Sequence, residues 1–125
     1  MAKILIVDDD PDVVDAIRLF LKKEGHEVAS AASRSEGMQK VREFGPDLLI
    51  LDCIMESVDA GMVMARELRA QEFSAPILML SSIGKVLGQD FGKDDEILPV
   101  DEFVEKPIEP RVLMDKVNEL LGKSN

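Results

Sequence analysis

Five short apolar runs punctuate the chain at intervals wide enough to hold a helix between them: residues 4–7, 28–31, 48–51, 77–80, and the brief pair Phe103-Val104. Each is almost continuously hydrophobic instead of alternating, which is the pattern of strands covered on both faces, as in a parallel sheet. The intervening segments carry helical spacing. In residues 12–24, Val13, Val14, Ile17, Phe20 and Leu21 share one face, Asp10 is placed to cap the start, Pro11 suits the first turn, and Gly25 is placed to end the helix. Ser33-Arg34-Ser35-Glu36 has the spacing of a capping box, and the helix it opens should close before Gly45-Pro46. A third helix is predicted over 60–70. A last one is predicted over 110–121, stopping at Gly122 and turning Val112, Leu113, Val117, Leu120 and Leu121 to the core. Between 84 and 98 three glycines and the charged run Lys93-Asp94-Asp95-Glu96 predict only a short or loose helix. Five βα units make an open, doubly wound parallel sheet with helices on both faces the expected architecture.

The polar residues fall at informative places on that frame. Asp8-Asp9-Asp10 follows the first run, Asp52 ends the third, Ser81-Ser82 ends the fourth, and Lys106-Pro107 follows the fifth. In open α/β sheets these strand ends meet along one edge, where ligands bind. Carboxylates crowded together repel unless a cation or protons neutralise them. Oxygen donors without histidine or thiolate select a hard ion, and a few carboxylates with water suit Mg²⁺, or Mn²⁺ in its place. Lys106 adds charge and Ser81 a hydrogen bond, so the group is phosphate-sized, and a carboxylate inside it can act as nucleophile toward phosphorus.

Composition narrows the partners. The chain has 125 residues, enough for one core and too few for two, and its formal charge is −10. Such a surface repels nucleic acid and anionic membranes, leaving proteins and small ions or molecules as partners. Cys53 is the single cysteine, which fits a reducing compartment; it is expected to pack and stay inert. No run is long enough to span a bilayer and no signal peptide is legible, so the cytoplasm is the expected location. His26 is expected at the surface, and the methionines follow core periodicity.

The acidic cluster after the first strand, the aspartate ending the third, the Ser ending the fourth and Lys-Pro after the fifth together resemble the receiver domains of two-component response regulators. The likeness runs along essentially the whole chain. It implies a flavodoxin-like strand order 2-1-3-4-5 and a phosphoacceptor switch that catalyses its own phosphorylation and dephosphorylation and is not otherwise an enzyme. By the same resemblance Asp52 takes the phosphoryl group from a histidine kinase or phosphotransfer protein. Asp8 and Asp9 hold the metal directly or through water, with Asp52 and the backbone carbonyl of Ile54 as further ligands, Ser81 and Phe103 are the switch pair, and Lys106 precedes a proline whose peptide bond is commonly cis. Residues 1–125 are expected to be one receiver domain, with no output domain, that binds an unknown downstream protein.

Some positions depart from the family. Glu56 stands where proline is common, and Ala60 where glycine is common, with Gly61 one place later. The stretch from Ser81 to Lys106 is a few residues longer than in typical members of the family and carries little of their usual helical pattern, which concerns the face through which the family commonly signals. Two other functions compete with the switch. A small-molecule phosphohydrolase would need a second aspartate two residues after the nucleophile, where Ile54 stands. A degenerate receiver, acting only through protein contacts, would have lost Asp52, Lys106 or the acidic pair, and all are present.

Overall fold

The computed structural model describes residues 2–52, 60–81, 100–106 and 108–123, with the side chains of Ser81 and Lys123 outside that description. The order is β1 (Lys3–Val7), α1 (Pro11–Lys23), β2 (Glu27–Ala31), α2 (Arg34–Phe44), β3 (Leu48–Asp52), α3 (Ala60–Ala70), β4 (Ile77–Ser81), β5 (Glu102–Glu105) and a last helix, α4 (Pro110–Lys123). All strand pairs are parallel, and the sheet order is β2-β1-β3-β4-β5, the flavodoxin-like order expected from the resemblance.

Alternation along each strand divides the core in two. Leu5, Val7, Leu49, Leu51, Ile77 and Met79 face α2 and α3, where Met62, Met64, Ala65 and Leu68 meet them. Ile4, Ile6, Leu48, Ile50, Leu78 and Leu80 face α1 and α4, against Ile17, Leu21, Leu113 and Val117. The central strands are thus apolar on both sides, which is why they read as unbroken runs. At about 25 cal/mol per Å² of apolar surface removed from water, this double burial is the main favourable term of the fold.

Local signals start and stop the helices as expected. The Asp10 side chain accepts from the Asp12 N–H, and Pro11 occupies the first turn of α1. Ser33 Oγ accepts from the Glu36 N–H at 3.2 Å. Glu36 reaches back one residue further than the usual box, to the Ala32 N–H at 2.9 Å. Gly45 closes α2 at φ +62°, where a side chain would be strained. Two expectations shift. The last helix runs past Gly122 to Lys123, and Val112 is 40 % exposed. Leu113, Val117 and Leu120 already form the buried stripe, and Val112 lies about 100° round the helix from Leu113. The expected short helix within 84–98 lies outside the described residues, as do Cys53, Ile54, Glu56, Ser82 and Pro107. Among the described residues no helix is long and apolar enough to cross a membrane.

Candidate functional site

Parallel register carries the polar residues to one edge. Val7 pairs with Leu51, Asp52 with Leu80, and Ser81 with Glu105, so the residues after β1, at the ends of β3 and β4, and after β5 lie side by side. Asp8 is 1 % exposed and Asp52 4 %, and they are the only buried charged side chains among the described residues. Lys106 Nζ lies 3.1 Å from Asp8 Oδ2 and 3.4 Å from Asp52 Oδ2. Burial works against the charge on this ammonium, but the Asp52 and Asp8 carboxylates outweigh it and raise the Lys106 pKa above its ordinary value.

Asp8 is held by its surroundings. Its N–H donates to the Ala31 carbonyl of β2 at 3.1 Å, and its Oδ1 accepts from the Asp10 N–H at 2.9 Å. Its Oδ2 is fully buried and, among the described residues, has no well-directed hydrogen bond; the approach of Lys106 is an ion-pair contact that leaves coordinating capacity over. One carboxylate oxygen each from Asp8, Asp9 and Asp52 lie within 4.8 Å of one another, two of the residues buried and Asp9 exposed. One lysine cannot neutralise three carboxylates so close together. All-oxygen donors with an underused buried oxygen fit a hard divalent cation, and the cluster can hold a metal.

The structure therefore brings Asp8, Asp9, Asp52 and Lys106 together. The backbone of Ser81 ends β4 on the same edge, while its hydroxyl and the Ile54 carbonyl lie outside the described residues. Phe103 pairs with Met79 across β4 and β5 and is half-buried against the core layer of α2 and α3.

Three features were not read from the sequence. The first is the hydrogen bond that the Asp10 N–H donates to Asp8 Oδ1, two residues back. Arg18 of α1 donates to Ser30 of β2 at 2.6 Å, on the wall of an open cleft of about 400 Å³ beside Asp8 and Asp9. His26, expected at the surface, is half-buried, and its Nδ1 accepts from the Ala2 N–H at 3.1 Å.

Comparison with known proteins agrees with this geometry. The family model described as the response regulator receiver domain matches residues 4–118. The chain is 33 % identical over 126 residues to the alkaline phosphatase synthesis transcriptional regulatory protein PhoP of Bacillus subtilis, covering 98 % of this chain and 49 % of that protein. It is 34 % identical over 127 residues to the transcriptional regulatory protein AfsQ1 of Streptomyces coelicolor, covering 98 % and 52 %. It thus spans about half the length of these curated relatives. A putative response regulator from Chloroflexus aurantiacus superposes with a TM-score of 0.83 at 32 % identity, covering 97 % of this chain and 98 % of that one. A CheY-like receiver domain from Methanospirillum hungatei gives 0.84 at 27 %, covering 99 % and 96 %. The chain belongs to the response-regulator receiver domain family of two-component systems.

Proposed function

We propose that this domain is a Mg²⁺-dependent phosphoacceptor switch in which Asp52 takes a phosphoryl group from the phosphohistidine of a histidine kinase or phosphotransfer protein. The observation that carries the reading is Asp52 itself, a buried carboxylate at a strand end with Lys106 Nζ at 3.4 Å and with Asp8 and Asp9 beside it. A buried carboxylate among other carboxylates is costly for a fold to keep unless charge arriving from outside uses it.

In the proposed reaction an Asp52 carboxylate oxygen attacks phosphorus in line with the donor nitrogen. The new O–P bond forms as the N–P bond breaks, and the donor imidazole, protonated on its other nitrogen, leaves as the neutral ring. Lys106, already between Asp8 and Asp52, pairs its ammonium with the added phosphoryl charge. Asp8, Asp9, Asp52 and the Ile54 carbonyl would hold Mg²⁺, which supplies charge neutralisation and orients the phosphoryl oxygens. Ser81 is assigned the switch hydroxyl and Phe103 the side chain that changes the surface offered to a downstream protein. Residues 1–125 are read as one receiver domain working in the cytoplasm.

Intact mass after incubation with Mg²⁺ and acetyl phosphate tests the reading. The native chain is expected to gain one phosphoryl group, and Asp52→Asn and the chelated native chain none. A folded native chain that gains none with either acetyl phosphate or a phosphorylated histidine donor would instead favour a degenerate receiver.

A further inference from the structure

We infer that Asp10, the third residue of the acidic run, is a positioning residue that acts on metal binding through Asp8 without being a ligand; this rests on the metal-dependent reading of the site given above. Asp10 is exposed, and it stands outside the group of Asp8, Asp9 and Asp52, whose oxygens converge. Its place in the structure is that of a hinge fixed on both sides. Its side chain accepts from the Asp12 N–H at 3.0 Å and its carbonyl accepts from the Val14 N–H at 3.1 Å, so its peptide is locked to the first turn of α1. Its own N–H then points back and donates to Asp8 Oδ1 at 2.9 Å.

The consequence concerns a single torsion. The Asp8 backbone is tied to β2 through the Ala31 carbonyl, so the chief freedom left to the residue is rotation of its carboxylate. The Asp10 N–H restricts that freedom by occupying Oδ1, which leaves Oδ2 facing Lys106 with capacity for a further partner. A ligand held in its binding orientation before the ion arrives does not lose that entropy on binding, and partners that orient metal ligands are worth a large factor in affinity. Helix capping and metal-site geometry are thereby joined in one residue: φ −96° and ψ 107° at Asp10 place the side chain over the helix end and the N–H over Asp8.

Removing the cap while leaving the three candidate ligands intact tests this. Mg²⁺ affinity of the unphosphorylated full chain would be measured calorimetrically, and Mn²⁺ affinity by electron paramagnetic resonance, alongside thermal unfolding in chelator. Asp10→Ala is expected to weaken both ions on the order of tenfold. Asp10→Ser, which keeps an oxygen to accept from Asp12, should restore most of the affinity although it removes the charge. Glycine is tolerated at helix starts, so Asp10→Gly keeps the helix yet frees the backbone, and it should weaken binding as alanine does. Affinity within about twofold of native in Asp10→Gly and Asp10→Ala would reduce Asp10 to a helix cap and overturn the inference. Equal weakening in the serine and alanine variants would overturn it too, because the carboxylate charge would then be the active element. A folded native chain that binds neither ion defeats the metal-dependent reading itself, which distinguishes that failure from the failure of Asp10 alone.

Discussion

Asp8 divides its two oxygens between structure and site, one taking a backbone N–H and the other facing Lys106. His26 carries a pH consequence near neutrality. Its Nδ1 must keep a lone pair to accept from Ala2; partial burial and the positive N-terminal amine lower its pKa below 6.5, with Glu24 opposing. The unfolded chain therefore binds this proton more readily than the folded one. The contribution is fully present above pH 6.5 and is lost as pH falls from there through the lower folded pKa, after which it levels off. Urea unfolding between about pH 7.5 and about pH 5.5 should show stability falling toward acid, and His26→Phe should remove the part of that slope due to this residue. An unchanged slope in the variant would mean the histidine is not coupled to folding. None of this was visible in the sequence, where His26 between Gly25 and Glu27 reads as a turn residue. Its partner Ala2 lies 24 positions away and meets it only because β1 and β2 are neighbours.

Among the described elements, α2 approaches the sheet closely at a glycine. A Cβ at Gly37 would lie 2.9 Å from Met64 Cε and 3.1 Å from both γ-methyls of Val7. The methionine end can swing away, but the Val7 methyls belong to a buried strand. Gly37→Ala gains about 1 kcal/mol of helix propensity and meets overpacking of about 1–3 kcal/mol. We expect a net loss of about 1 kcal/mol in chemical denaturation, only partly relieved by Met64→Ala because Val7 remains. A stabilised Gly37→Ala would show that α2 can lift from β1 freely. The same helix is pinned laterally by the Arg34–Glu67 pair to α3. At the other end of the sheet the Asp101 carboxylate accepts from Arg69 Nη2 at 2.9 Å and from the Ile77 N–H at 2.8 Å, joining α3 to the starts of β4 and β5. Helix limits were legible to within a residue or two because caps are local chemistry: Asp10, Ser33 and Gly45 act on atoms a few residues away. The tight seat of α2 was not legible, since Gly37 within a helical pattern signals only weakness until its neighbours are known.

For the molecule as a whole, a cation bound at the acidic edge would couple ligand binding to stability. Three carboxylates share a small space with one lysine, so a divalent cation that binds there should stabilise the fold by mass action, by about 2.7 kcal/mol at a hundredfold excess over its dissociation constant. Thermal unfolding with Mg²⁺ and with chelator should differ by several degrees in the native chain, and Asp9→Ala should remove most of the difference while leaving the buried pair in place. An Mg²⁺ shift equal in both chains would locate the cation elsewhere. The fold class was readable from five apolar runs because a strand buried on both faces leaves an unbroken hydrophobic signature, and the polar residues that end those runs then had only one edge on which to gather. Chain order alone could thus name Asp8, Asp9, Asp52 and Lys106. The distances among them, the approach of Lys106 to Asp8 Oδ2, the outward turn of Val112 and the seat of Gly37 come from contacts between residues far apart in the chain. Periodicity and capping act over a few residues and are written in the local sequence, whereas these contacts exist only once β1, β3 and β5 stand in register.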